Sequence, residues 1–144
     1  MNKDTLRIVV ADWDTLQKDA QAIRYAVFVV EQKIPAELEW DAADAQCVHA
    51  VAYDETGLAL GTGRLLPDAH IGRMAVLNKA RGLGIGAMIL RALMAQAQQR
   101  GEKTVRLNAQ QSAENFYLKE GYLRDGDVFE EAGIPHVSMA YHFE

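Results

Sequence analysis

Three glycines at alternate positions, Gly82, Gly84 and Gly86, follow Arg81 and lead directly into an apolar helical pattern. Glycine lets a backbone approach a ligand without an intervening Cβ, and the N–H groups that open a helix attract negatively charged groups. Glycine in a first helical turn costs about 0.5–1 kcal/mol relative to alanine, so a plain connecting loop has more stable alternatives. The stretch is therefore predicted to bind a phosphate-bearing ligand.

Two other phosphate-binding motifs fit this stretch poorly. A P-loop needs a lysine after its glycines, and none follows here. The dinucleotide pattern G-x-G-x-x-G/A is present as Gly82, Gly84 and Ala87, but residues 77–81 separate it from the preceding predicted strand. The acidic residue expected about 20 positions later is Glu102, which lies before the next strand rather than at its end. A dinucleotide-binding oxidoreductase is thus disfavoured.

The hydrophobic pattern predicts the element order β-α-β-β-β-α-β-α-β. Strands are predicted at 5–11, 46–54, 58–66, 70–76, 104–109 and 135–143. Helices are predicted from a capping box at Asp14 and Gln17 to about Gln32, from the glycines to Arg100, and from a Ser112 cap to residue 120. This order indicates an α+β fold in which a mixed sheet has helices on both faces.

Composition limits the classes of protein to which the chain can belong. The chain has 144 residues, 49% of them hydrophobic, without a repeat or linker, which predicts a single domain over residues 1–144. One cysteine and the lack of a signal-like leader predict a cytoplasmic protein. Fifteen basic against 20 acidic residues, without a basic cluster, disfavour nucleic acid as a partner. No apolar run is long enough to predict a membrane partner.

Other chemistries receive little support. The four histidines, at positions 49, 70, 136 and 142, do not have metal-ligand spacing with Cys47, so no metal site is predicted. A small phosphorylated ligand remains compatible with the negative net charge, because basic side chains flank the glycine stretch. These are Lys79, Arg81, Arg91 and Arg106.

Several segments resemble, in the right order, the GNAT superfamily of N-acetyltransferases. Arg81–Gly86 matches the signature R/Q-x-x-G-x-G/A, "MAV" at 74–76 precedes it by a short loop, and "NFYLKEGY" at 115–122 is similar to a late F-Y-x-x-x-G-F/Y segment. Residues 24–39 and 130–139 further resemble a small bacterial ElaA-like subgroup. The resemblance covers essentially the whole chain.

This resemblance implies a GNAT fold, a mixed, mostly antiparallel sheet of six to seven strands that is splayed in the middle. Acetyl-CoA would lie in the gap between the strands predicted at 70–76 and 104–109. Backbone groups of Met74, Ala75 and Val76 would contact its acetyl and pantetheine portions, with oxyanion stabilisation near the Met74 N–H. Arg81 would shape the loop. The pyrophosphate would be held by Gly82, Leu83, Gly84, Ile85, Gly86 and Ala87.

Tyr117 occupies the position at which many members of the family carry a general acid. A CoA thiolate that leaves after acyl transfer needs a proton, and a phenol is a plausible donor. The alternative is a tyrosine that anchors a short helix to the sheet. Many relatives also have an asparagine seven residues before this tyrosine, where this chain has Gln110; Gln110 or Asn108 would have to substitute for it.

The general base is less defined, because the family uses no single residue type for this role. An amine is mostly protonated at neutral pH and must lose a proton before it attacks. Glu31 and His136 rank first, since both lie in the segments similar to the subgroup. The other candidates are Glu39, Asp41 and His49, of which His49 is expected to be a core histidine.

The expected function is transfer of an acetyl group from acetyl-CoA to a primary amine of a small molecule or lysine side chain, by direct attack in a ternary complex. The acidic segment 36–44 favours a cationic acceptor bound by Glu37, Glu39 and Asp41. The alternative is a non-catalytic acyl-CoA-binding sensor. Many members of the family are dimers, which leaves a homodimer open.

Overall fold

The computed structural model describes residues 3–144, which form one sheet of seven strands. The strands are β1 Arg7–Ala11, β2 Val48–Tyr53, β3 Ala59–Leu65, β4 His70–Val76, β5 Thr104–Gln110, β6 Leu123–Glu131 and β7 Ile134–His142. Their spatial order is β1-β2-β3-β4-β5-β7-β6, and only the β4–β5 pair in this described sheet is parallel. The predicted mixed, mostly antiparallel sheet is confirmed.

Helices cover both faces of the sheet, as predicted. They are α1 Trp13–Arg24, which continues as a π-helix over Tyr25–Glu31, α2 Ala36–Glu39, α3 Ile85–Gln99 and α4 Glu114–Lys119. Helix α1 and the π-helix bury apolar residues in a cluster with Val51 and Ala75, while α3 packs into a separate cluster with Leu60 and Val105. Helix α1 with the π-helix and helix α3 therefore present their apolar sides to opposite faces of the sheet. None of the helices within residues 3–144 is both long and apolar enough to cross a membrane.

Strands β4 and β5 separate in the middle of the sheet. They pair through His70 with Arg106 and Ile71 with Leu107, and no further pair follows along their described length. Beyond Ile71 the two strands diverge and leave a gap that opens toward the loop preceding α3. The predicted splay is confirmed, and it positions the cleft described below.

A β-bulge changes the course of β4 at this point. Thr62 pairs with Ala75 and Arg64 with Gly72, so two residues of β4, Arg73 and Met74, lie opposite Gly63 of β3. A Cβ at residue 63 would lie 2.5 Å from the Met74 sulfur and 3.0 Å from Ile89, so glycine leaves the space that these two side chains fill. Bulges bend a strand and re-aim its side chains, which the alternation in "HIGRMAV" did not predict.

Two of the predicted helix starts are wrong. Helix α1 is capped by Asp12, whose carboxylate accepts from the Thr15 N–H at 3.0 Å, rather than by Asp14 and Gln17. Asp12 has an extended backbone and so can reach the open N–H groups of the first turn. Ser112 does not cap the late helix either, because it lies inside a 3₁₀ turn at Gln111–Ala113 that precedes α4.

Strand β6 was missed by the sequence pattern, which predicted a single strand after α4. All nine residues of Leu123–Glu131 are exposed, so the buried face that produces alternation is lacking. Its pairing with β7 shifts between Arg124 and Val128, around Gly126. An edge strand that is charged and irregular in this way discourages pairing with other chains, and it also hides the strand from pattern analysis.

Candidate active site

The gap between β4 and β5 forms a cleft of about 1030 Å³. This volume lies at the upper end of the range of about 300–1,000 Å³ that is usual for ligand pockets. Most of the site residues predicted from the sequence line it: Met74, Ala75, Val76, Arg81, Gly82, Gly84, Ile85, Gly86, Ala87, Tyr117 and His136. Residues from distant parts of the chain thus meet in one cleft.

The glycine loop presents the N-terminus of α3 to this cleft. Gly82 and Gly84 have φ angles of 86° and 79°, in the left-handed region where a side chain is strained. Gly84 is the N-cap residue, and no side chain of the described residues caps the helix there. The N–H groups of the first turn therefore face the cleft without a side-chain acceptor, an arrangement suited to a phosphate. Leu83 turns away and packs against the core.

Arg81 connects this loop to two other elements. Its Nε donates to the Val76 carbonyl at 3.0 Å, and its two terminal nitrogens form a bidentate ion pair with Glu31, at 2.6 and 2.7 Å. Hydrogen bonds from Arg81 lower the pKa of the Glu31 carboxyl, against a smaller opposing effect of burial. The π-helix, the end of β4 and the glycine loop are thereby held together, and Glu31 is an engaged carboxylate.

Tyr117, on α4, lines the cleft and is almost fully buried. Its ring makes edge contacts with Phe116 and Tyr122, at centroid distances of 4.9 and 5.9 Å. Burial raises the pKa of the Tyr117 phenol to about 12. The hydroxyl therefore stays protonated throughout the neutral pH range, as a proton donor must.

His136 lies on β7, directly opposite Gln110 of β5 in the sheet register. Its Nδ1 is 2.7 Å from the Ile134 carbonyl oxygen, so that nitrogen carries a proton and donates it there. The ring stacks on Phe129, and Nε2 lies 3.5 Å from Glu131. In the neutral imidazole Nε2 then carries the lone pair.

Gln110, which the sequence offered with Asn108 in place of the family's asparagine, lines the cleft together with residues that were not predicted. The Gln110 amide donates to the Gln32 side chain at 2.9 Å, across the cleft from β5 to the end of the π-helix. The Gln32 N–H bonds the Val27 carbonyl at 2.9 Å in the π-helical pattern, and an apolar wall formed by the π-helix and the residues after it lines the cleft. This wall consists of Val27, Phe28, Ile34 and Leu38. A π-helix departs from the 3.6-residue period by which apolar spacing predicts a helix.

Two of the three acidic residues predicted to bind a cationic acceptor, Glu39 and Asp41, are paired with arginines instead, whereas Glu37 is exposed. Arg24 pairs with Glu39 and Asp44, and Arg64 pairs with Asp41 and Asp44. Burial alone would raise the pKa of the Asp44 carboxyl, but hydrogen bonds from the two arginines outweigh it, and that pKa is lowered. Glu39 and Asp41 are therefore engaged within the protein rather than free to bind a cation or to accept a proton.

His49 is buried outside the cleft, which agrees with a core role. Its Nε2 lies 2.9 Å from the Asp44 carbonyl oxygen, and its ring contacts Trp13 at 4.6 Å. Burial lowers the pKa of His49, so the neutral form is favoured. Across residues 3–144, no group of three or more metal-ligating side chains is arranged around a common point.

Known proteins share both the sequence pattern and this architecture. Residues 15–143 match the family model described as "Acetyltransferase (GNAT) domain". The chain is 37% identical over 137 residues to the Bacillus subtilis protein YjcF, named an uncharacterized N-acetyltransferase. The match covers 93% of this chain and 98% of YjcF.

Solved structures are similar over nearly the whole chain. A Lactobacillus plantarum protein is 33% identical with a TM-score of 0.88, covering 96% of this chain and 98% of its own. An acyl-CoA N-acyltransferase from Pseudomonas aeruginosa is 30% identical with a TM-score of 0.82, and the match covers 94% of this chain and 99% of that protein. Escherichia coli ElaA is 27% identical with a TM-score of 0.83, and the match covers 95% of this chain and 99% of ElaA. The fold, the cleft and these similarities together show that the chain belongs to the GNAT family of acetyltransferases.

Proposed function

We propose that this protein transfers an acetyl group from acetyl-CoA to a primary amine of a small molecule or lysine side chain, by direct attack in a ternary complex. The observation that carries this proposal is the glycine loop at the start of α3, which faces the gap between β4 and β5. That gap continues to a buried tyrosine and a histidine, so one cleft contains a place for the phosphates and groups for proton transfer. A structural neighbour from Bacillus anthracis, with a TM-score of 0.60 and 20% identity over 68% of this chain, was crystallised in complex with acetyl coenzyme A.

The residues present fit acetyl-CoA. Gly82 to Ala87 would hold the pyrophosphate on open N–H groups at the N-terminus of a 15-residue helix. The backbone of Met74 to Val76, unpaired with β5, would bind the pantetheine arm as an added strand. Acetyl-CoA, when bound, supplies the acetyl group as an activated thioester.

Two groups of this chain are proposed to prepare the attack. His136 accepts the amine proton on Nε2, because Nδ1 is committed to the Ile134 carbonyl and Glu131 stabilises the resulting charge. The N–H of Met74, in the bulge where β4 has lost its pairing with β3, stabilises negative charge on the carbonyl oxygen. Glu31 remains the second candidate for the base, but its ion pair with Arg81 makes it a weaker proton acceptor.

Tyr117 is proposed as the proton donor to the departing thiolate. A phenol with a pKa of about 12 is a weak acid, but burial in the same cleft raises thiol pKa values as well. The hydroxyl would first donate a hydrogen bond to the sulfur and then transfer the proton as charge develops. His136 and the Met74 N–H act on the attacking amine and the carbonyl oxygen, whereas Tyr117 acts on the leaving group.

The direct test is amine-dependent release of free CoA thiol from acetyl-CoA, screened over small amines and a lysine peptide. Turnover with at least one amine supports the proposal. Binding of acetyl-CoA without turnover of any amine would instead favour the non-catalytic sensor.

Replacing Gly84 with alanine is expected to weaken acetyl-CoA binding about tenfold. A Cβ at φ 79° costs about 1–2 kcal/mol, and relief of that strain moves the N–H groups that face the cleft. Gly57→Ala is the matched control, since Gly57 has a φ of 88° in the β2–β3 turn, outside the cleft. Calorimetry should show weaker acetyl-CoA binding for the Gly84 variant alone; equal affinities of both variants and the wild type would contradict a role in phosphate binding.

The two base candidates are separated by comparing His136→Gln with Glu31→Gln. His136→Gln should lower kcat at neutral pH by about 100-fold, the lower end of the contribution typical of a general base. Glu31→Gln should leave kcat within a few-fold and raise KM for acetyl-CoA, because it releases Arg81 from the π-helix. Steady-state kinetics at saturating amine measure both effects. The reverse pattern would identify Glu31 as the base.

We further propose that the chain acts as a single domain in the cytoplasm. One continuous sheet carries the two core clusters, which supports a single folding unit. A single cysteine among 144 residues supports a reducing compartment. Fractionation of the producing cells with an antibody to the protein tests the location.

A further inference from the structure

Arg73 occupies an unusual place in the cleft. It lies in the β4 bulge with a φ of 49°, a left-handed conformation that is uncommon for residues other than glycine, asparagine and aspartate. Such strained positions persist where the surrounding structure holds them, and they cluster at functional sites. Arg73 lines the cleft next to Met74, the residue proposed to contact the reacting carbonyl.

The guanidinium of Arg73 is loosely held compared with the other arginines nearby. It forms long ion pairs with Asp41, at 3.5 Å from a terminal nitrogen, and with Glu39, at 3.8 Å from Nε, and neither contact is a hydrogen bond. Its buried Nε has no hydrogen-bond partner within residues 3–144. Buried donors are normally paired, so this fork has donor capacity that the protein does not use.

The neighbouring carboxylates do not turn this region into a cation site. The side chain of Glu39 bonds Arg24, and Asp41 accepts from Arg64 at 2.7 Å and from the Ala43 N–H at 2.9 Å. The group has three carboxylates and three arginines, so its charges balance: Glu39, Asp41 and Asp44 with Arg24, Arg64 and Arg73. Of these three arginines, Arg73 lines the cleft. The unused hydrogen-bonding capacity is therefore that of a cationic donor.

We infer that Arg73 binds a carboxylate of the acceptor, so that the acceptor is an amino acid with an apolar side chain. This inference rests on the proposed function. An arginine fork matches a carboxylate in a bidentate arrangement, which orients the amine as well as binding it. The apolar wall of Val27, Phe28, Ile34 and Leu38 on the same cleft receives the side chain.

The test measures binding of N-acetyl-L-leucine and N-acetyl-L-leucinamide to the full chain saturated with CoA, by calorimetry. The two probes differ in the carboxylate, which the amide replaces with a neutral group. The wild type should bind the acid about 10- to 100-fold more tightly, as expected for charge-assisted hydrogen bonds. In Arg73→Gln this ratio should fall to about one, and in Arg73→Lys it should be intermediate, because lysine keeps the charge but not the fork.

Arg91→Gln is the matched control, because it removes an arginine–carboxylate pair with Glu120 that lies outside the cleft. It should leave the ratio of the two affinities unchanged. Since the comparison of acid with amide is made first in the wild type, it does not depend on whether a variant folds. Equal affinities of the two probes for the wild type, or no binding of either, overturn the inference.

A second arm distinguishes the source of the carboxylate. If succinyl-CoA binds more tightly than acetyl-CoA and Arg73→Gln removes that preference, the carboxylate belongs to the acyl chain, and the assignment to the acceptor is overturned. Acetyl-CoA titration of the same protein preparations before CoA is added separates the two levels of the proposal. If the wild type does not bind acetyl-CoA, the proposed function itself fails. If it binds acetyl-CoA but has equal affinities for the two probes, only the role of Arg73 is rejected.

Discussion

Replacing Tyr117 with phenylalanine is expected to lower kcat by about 100-fold while leaving the acetyl-CoA Kd unchanged, near the lower end of the usual 10²–10⁴-fold contribution of a general acid. The lower end applies because burial makes this phenol a weak acid, with a pKa of about 12. The ring contacts with Phe116 and Tyr122 do not involve the hydroxyl, so phenylalanine preserves the packing. Kinetics with saturating amine and calorimetry with acetyl-CoA measure the two quantities separately.

Tyr122→Phe is the matched control for this experiment. Tyr122 is fully buried beside Tyr117 but does not line the cleft, and its hydroxyl has no hydrogen-bond partner in the described part of the chain. Removing that hydroxyl should leave kcat unchanged and not reduce stability, because an unpaired buried polar group is lost. If the two variants have the same kcat as the wild type, Tyr117 is a helix anchor and not the acid.

Replacing Asp44 with asparagine is expected to destabilise the protein by about 3–5 kcal/mol, the loss typical of breaking a buried ion pair from one side. Asp44 is 3% exposed and accepts hydrogen bonds from both Arg24 and Arg64, at 2.8 to 3.0 Å. Asparagine keeps the shape but removes the charge between two buried arginines. Urea unfolding measures the loss. Glu120→Gln, which breaks the pair with the exposed Arg91, should leave the midpoint nearly unchanged.

The same network makes stability depend on pH in a defined direction. The folded pKa of the Asp44 carboxyl is lowered, so its stabilising effect is fully present above the unfolded value of about 3.9. That effect is lost as the pH falls below this value and through the folded pKa. The wild type should therefore lose stability below about pH 4 more steeply than Asp44→Asn, as thermal unfolding across pH would show. Parallel curves for the two proteins would mean that Asp44 contributes no pH-dependent stability.

The parts of the fold that depend on local pattern were predictable from the sequence. Helix α3 and the glycines before it could be located from apolar spacing and from the cost of glycine in a helix, and the structure places both at the cleft. The splay of β4 from β5 was implied by family resemblance, because no local property of either strand indicates how far their pairing extends.

The features that the sequence did not reveal depend on contacts between distant residues. At the bulge at Arg73, the Met74 side chain lies over Gly63, a residue of the neighbouring strand. The arginines that neutralise the acidic segment lie 15 to 23 positions from their partners, so that segment resembled a free anionic loop. Strand β6 has no buried face and therefore no alternation. These arrangements determine which charges are available in the cleft.

The most direct measurement is calorimetric titration of the protein with acetyl-CoA, CoA and NADH in parallel. If the glycine loop and the splayed strands form a pyrophosphate and pantetheine site, both CoA species bind with micromolar Kd at one site per chain, and NADH gives no response. Absence of binding by acetyl-CoA and CoA would contradict that site, and with it the proposed roles of Tyr117, His136 and Met74.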